Sequence, residues 1–255
     1  MKWLARQRIR YALRHYRISR KVWAEVMRST RVFKGLSAVE RAHLREMTTL
    51  FLHRKTLTGV KGFNVSVEVS ITIAAQACLP ILKLGLDYYD GWSEVVIYPG
   101  AFRVARNTID AAGVVSNQEQ ILSGESWSRG PVILSWSDIS SEQDISRRGH
   151  NVVIHEFAHK LDMLNGRANG MPPLHTDMIR QQWTRSFSHA YEHLKQQLAH
   201  HHRPSINSYG ASNEAEFFAV ASGYFFTYPQ ALCRLSSPVY EQLKLFYRQD
   251  PANRL

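Results

Sequence analysis

Apolar residues recur at helical spacing over several long stretches of the chain and alternate with polar ones over only a few, which predicts a mostly helical fold with a small sheet. Between residues 1 and 31, Ile9, Ala12, Leu13, Tyr16, Trp23 and Val26 recur at roughly helical spacing. From Ser37 to Leu52 the positions Leu36, Val39, Ala42, Met47, Leu50 and Phe51 repeat that period, and Ser37 stands three residues before Glu40, the spacing of a capping box. After a turn at Gly59 to Gly62, Val65, Val67 and Val69 alternate with polar residues. The run from Ser70 to Leu86 then reads as a buried helix interrupted at Pro80. Two segments have strand composition: 94–98, just before Pro99-Gly100, and 132–136, just after Gly130-Pro131. A polar, Gly- and Ser-containing connection separates them.

Composition turns this pattern into a fold class. A chain of 255 residues with 44% hydrophobic content can bury a substantial core, and no repeat or low-complexity tract divides it. The expected class is α+β, with residues 1–34 as a loosely attached, basic amphipathic N-terminal arm and residues 35–255 as one domain. Charge supports that division. Of a net +11, residues 1–55 carry fifteen Lys or Arg against Glu25, Glu40 and Glu46, whereas the remainder carries seventeen against eighteen acids. Residues 1–31 could therefore meet nucleic acid, an anionic membrane surface or an acidic protein. No nucleic-acid-binding motif accompanies them, and a solvated helix face is the plain alternative, so contact with nucleic acid or a membrane is possible but not expected. The oligomeric state has no signal in the sequence. Cys78 and Cys233 give no disulfide framework and fit a reducing, cytoplasmic location. The longest apolar-rich run, Val65 to Leu82, is interrupted by six polar or Pro residues, which argues against a membrane span.

The candidate chemistry lies in Asn151-Val-Val-Ile-His155-Glu156-Phe-Ala-His159-Lys-Leu-Asp162. Read as a helix of about 3.6 residues per turn, this segment puts His155 and His159 on one face with Glu156 at its rim. Two neutral imidazoles can bind one zinc ion, and the free carboxylate can take a proton from water, which is the H-E-x-x-H pattern of metallopeptidases. A polar trio on an otherwise apolar helix is costly unless paired or metal-bound. A strand at 132–136, just ahead of this helix, could run along the cleft and pair with an extended peptide, or could equally be a plain core strand.

A catalytic zinc needs a third protein ligand, and the candidates are Asp162, Glu214, Glu216 and the later histidines. Asp162 shares the face of His155 and His159, but each turn rises about 5.4 Å, so three successive turns converge poorly on one ion. Asp162 is therefore expected to support a ligand from outside the metal's own shell. Glu216 is the better candidate: Asn213 can cap a helix beginning near Glu214, and Ala219 and Gly223 on the Glu216 face would allow close approach to another helix. Capping is the alternative reading of Glu216. Glu214 suits the helix dipole instead. His189 and His193 are four apart but lack an adjacent Glu, and His200 to His202 read as a polar loop tract.

These residues resemble a known family. His155-Glu-Phe-Ala-His159 with Lys-Leu-Asp162, Tyr209, and Asn213-Glu-Ala-Glu216-Phe-Phe-Ala are similar to the Mlc titration factor A family of bacterial zinc peptidases. The second segment also resembles the catalytic domain of anthrax lethal factor. The likeness spans about residues 35–251, including Leu84-Gly-Leu-Asp87, Glu94-Val-Val-Ile-Tyr-Pro99, Ser123-Gly-Glu-Ser-Trp127 and Gln249-Asp-Pro251, and leaves out the basic first thirty residues. It implies a zincin-like fold of the gluzincin type, with one zinc ion held by His155, His159 and Glu216 and with Glu156 as general base. It also implies Tyr209 as the donor that faces the metal across the cleft. The implied activity is aminopeptidase-like peptide hydrolysis, and the implied partner is a sugar-responsive transcriptional repressor. A regulatory binding protein that sequesters a repressor, with an incidental or structural zinc site, is the alternative.

Overall fold

The computed structural model describes residues 2–109, 115–122, 124–126, 130–141, 149–204 and 206–254. Helices α1 (Lys2–His15), α2 (Arg20–Ser29) and α3 (Ala38–Arg54) open the chain. Strand β1 (Thr56–Gly59) and helix α4 (Val67–Cys78) lead to β2 (Glu94–Tyr98), the hairpin β3 (Phe102–Ile109) and β4 (Val115–Leu122), then β5 (Gly124–Ser126) and β6 (Val132–Ser135). Helices α5 (Trp136–Ser141), α6 (Val152–Asp162), α7 (Arg180–Ala199), α8 (Glu214–Thr227), α9 (Pro229–Leu235) and α10 (Ser237–Tyr247) complete an α+β fold.

The sheet is small and mixed, in the order β1-β2-β6-β5. β1, β2 and β6 run parallel, with Leu57 opposite Val95 and Val95 opposite Val132, whereas β5 runs antiparallel at the edge. This decides between the two readings of strand 132–136 in favour of the core strand. It is paired on both sides, by β2 and β5, so it has no free edge to offer a peptide, and β5 takes the outer position. Trp136 has already left the strand and begins α5. The valines at 65–69 also fall otherwise than their alternation suggests. Ser66 accepts the Val69 amide and caps α4, leaving Val67 exposed on its first turn.

Helix α6 lies at the centre of the molecule. On one side Phe157 inserts among Tyr89, Trp92 and Phe51, with ring centroids 5.0, 5.7 and 5.8 Å away. On the other side it packs on α8, and Gly223 of α8 comes so close to the turn before α6 that a Cβ would lie 3.1 Å from the carbonyl of Gly149. A second aromatic cluster, with Trp183 stacked on Phe187 at 4.2 Å and Phe218 and Phe246 near them, joins α7, α8 and α10. Loose attachment does not describe the basic segment from Ile18 onward: Ile18, Trp23, Val26 and Phe33 are buried in the common core. No helix among the described residues is long and apolar enough to cross a membrane.

Candidate metal centre

Local signals set the two helices that build the site. Asn151, in extended backbone, accepts the Ile154 amide at 2.7 Å and starts α6, and its own amide donates to the buried Gln76 on α4 at 2.6 Å. The first turn of the motif helix is thereby fixed to a neighbour. Asn213 starts α8 in the same way by accepting the Glu216 amide at 2.9 Å. Asn213 thus uses the backbone of Glu216 and leaves its carboxylate free to face the histidines.

The three side chains converge. The Nε2 atoms of His155 and His159 are 3.2 Å apart, and Glu216 Oε2 is 3.0 Å from the first and 3.3 Å from the second. They form the one group of three His, Cys, Asp or Glu side chains able to share a metal ion among the described residues. The separations suit that purpose. A tetrahedral ion with ligand bonds of about 2.0–2.1 Å spaces its ligand atoms by roughly 3.3 Å, close to all three sides of this triangle.

Electrostatics prepare the donors. Burial pushes the His155 imidazole down to about 4, so that it is neutral and offers a lone pair at neutral pH. Burial also works against a charged His159, but its hydrogen bond to Glu216 and the charges of Glu156, Glu216 and Asp162 outweigh it and raise its pKa. For Glu216 burial acts upward, yet the hydrogen bonds and charge of the two imidazoles prevail and hold its carboxyl well below the usual range. One ionised carboxylate and two imidazoles are the donor set a borderline divalent ion takes.

The remaining expected residues are placed as follows. Glu156 is 4% exposed, and its charge acts on both His159 and Lys160. Tyr209 lies in a single turn, 208–211, whose start Asn207 caps; its hydroxyl donates to Glu216 Oε1 at 3.3 Å and its ring is half exposed. Asp162 touches neither imidazole through a hydrogen bond. Its Oδ2 accepts the amides of Asn169 at 2.9 Å and Gly170 at 2.8 Å, tying the following loop to the end of α6. Glu214 is exposed on the first turn of α8. His189 and His193 are exposed on α7, and His193 meets Gln197 rather than a second metal ligand.

Sequence reasoning passed over Lys160. It is 3% exposed, donates to the Gly130 carbonyl at 2.8 Å and lies 4.9 Å over the Trp92 ring. Burial lowers its pKa to about 8, and the neighbouring cation Lys55, on the same Trp92 ring, adds to that. A lysine four residues after Glu156 on an otherwise apolar helix was the available signal.

A helix bearing His-Glu-x-x-His, completed by a carboxylate from a second helix, carries the residue set of a metallopeptidase. The family described as Glucose-regulated metallo-peptidase M90 matches residues 1–248, and the chain belongs to it. The chain is 38% identical over 236 residues to Mlc titration factor A of Escherichia coli (strain 55989 / EAEC), covering 91% of this chain and 88% of that protein. It is 40% identical over 224 residues to Mlc titration factor A of Salmonella paratyphi B (strain ATCC BAA-1250 / SPB7), covering 87% and 83%. The resemblance read from the motifs is thus borne out, and the family match extends it through the basic first thirty residues.

Proposed function

We propose that the protein is a zinc-dependent peptidase of the gluzincin type on a zincin-like fold. The observation that carries this reading is the convergence of His155, His159 and Glu216 to 3.0–3.3 Å from two separately capped helices. These three residues would hold one zinc ion, which when bound supplies Lewis acidity and lowers the pKa of water. Glu156, beside them on α6, takes the proton of the attacking water and passes it to the leaving amine. The Tyr209 hydroxyl turns from Glu216 to donate to the oxyanion that develops on the scissile carbonyl. The substrate is a peptide, the cleavage aminopeptidase-like and the location cytoplasmic.

Metal analysis and a peptide-library cleavage assay on wild type and Glu156→Gln test this. The variant is expected to keep its metal and to lose about 10²–10⁴-fold in turnover, the range that general acid–base catalysis contributes. Unchanged turnover would remove Glu156 from the mechanism, and no cleavage by the metal-loaded wild type would remove the peptidase reading.

The name of the relatives, Mlc titration factor A, favours a second reading in which the protein binds and regulates a transcriptional repressor. Capture of the repressor by the Glu156→Gln variant would support binding that does not depend on hydrolysis. Loss of capture in that variant would make the two one activity.

A further inference from the structure

The excess positive charge of the chain frames a groove away from the three metal ligands. Helices α2 and α3 leave about 450 Å³ between them, lined by apolar Trp23, Ala24, Met27 and Ala42 and by Arg28, Arg41 and Arg45. Trp23 is buried beneath it, whereas Ala24, Arg28, Arg41 and Ala42 are exposed. The ion pairs of α3 lie elsewhere: His43 faces Glu46, Arg54 faces Asp87 and Asp90, and Glu40 faces Arg254. Among the described residues, none of the three groove arginines has a carboxylate in an ion pair. Arg45 donates to the Ile18 carbonyl, which fixes its guanidinium against the chain between α1 and α2. The groove lies within residues 1–55, whose fifteen basic and three acidic residues hold the whole net charge.

Concavity and charge together select the partner. A nucleic-acid backbone needs cations for its phosphates and gains little from an apolar cleft between them. A bilayer surface meets a projecting apolar face, not a recessed one. An apolar side chain flanked by carboxylates satisfies both features, filling the cleft while its neighbours take the forked donors of the arginines. We propose that this groove docks an acidic segment of a partner protein, with an aliphatic or aromatic side chain seated between α2 and α3 and Asp or Glu residues paired with Arg28 and Arg41.

The test uses the full chain in a Glu156→Gln background, with excess chelator, so that the probe stays intact and the result is independent of the metal reading. Fluorescence anisotropy follows a short labelled peptide in which Asp and Glu flank a Leu-Leu pair. The expected result is saturable binding that weakens by about tenfold or more when Leu-Leu becomes Ser-Ser, and again in Arg28→Glu/Arg41→Glu. Ala42→Trp, which fills the cleft without altering charge, is expected to weaken it likewise. Circular dichroism confirms that the variants fold. Equal binding of the Leu and Ser peptides, or unweakened binding by the charge-reversed variant, would overturn the proposal. So would tighter binding to a DNA duplex or to phosphatidylserine vesicles than to the peptide.

Discussion

Two glutamates, Glu156 buried on α6 and Glu216 partly buried on α8, do different work because their neighbours differ. Glu216 faces two imidazoles that hold it ionised, which suits a metal ligand, whereas Glu156 acts through its charge on His159 and Lys160 and is not one of the three side chains that converge. Tyr209 is bound less firmly than either. Its contact with Glu216 is long at 3.3 Å and its ring is 48% exposed, so the phenol can leave the carboxylate when a substrate carbonyl arrives. Removing one such oxyanion donor costs about 10²–10³ in kcat elsewhere. Tyr209→Phe is therefore expected to lower kcat by about that factor, with KM and bound metal nearly unchanged. Steady-state kinetics with metal analysis decides it, and an undiminished kcat would return Tyr209 to an ordinary loop tyrosine.

Between elements, the site depends on how α8 is held against α6, and Gly170 is where the holding can be tested. Its backbone has φ +77°, its amide donates to Asp162, and its carbonyl accepts the Trp183 indole at 3.1 Å. A Cβ there would come 2.5 Å from the carbonyl of Glu214, two residues before Glu216 on α8. Gly170→Ala is expected to cost about 1–3 kcal/mol through the left-handed backbone. It should also weaken metal binding by displacing the start of α8, which competition with a chromogenic chelator measures; lost stability with intact affinity would separate the loop from the site. The candidate site was legible because helical spacing puts His155 and His159 on one face and Asn213 marks the start of the helix that carries Glu216, neither of which needs knowledge of the sheet. Strand β1 was not, since Leu57 is the single large apolar residue in four and its pairing depends on β2, some forty residues on. Nor was the antiparallel edge β5, three residues long, whose place at the outer side of β6 is a matter of long-range register. The inward part of Asp162 was also hidden, because its partners are backbone amides of a loop, which carry no residue-type signature.

Over the whole molecule, the last turn of the described chain is fastened to the start of α3, and that fastening titrates. Ser37 and Glu40 form a full capping box at the start of α3, and the Glu40 carboxylate also receives the Arg254 guanidinium at 3.0 Å. Arg254 in turn reaches Gln249, whose amide donates to the carbonyls of Leu79 and Pro80 after α4. Burial acts to raise the Glu40 pKa, but the Ser37 amide and Arg254 outweigh it and hold it below the ordinary value of 4.5. A carboxyl depressed on folding binds fewer protons in the native state, so its contribution is fully present above about pH 4.5 and is lost as pH falls through the lower native value. Glu40→Gln is expected to destabilise the protein by about 1–3 kcal/mol at neutral pH, where charge-assisted hydrogen bonds are lost. The gap to wild type should close as pH falls below about 4.5, because the wild-type carboxyl then becomes neutral too. Urea unfolding of both proteins at neutral pH and at successively lower pH measures that gap, and a difference that stays constant through the acid range would show that Glu40 acts through packing and not through charge.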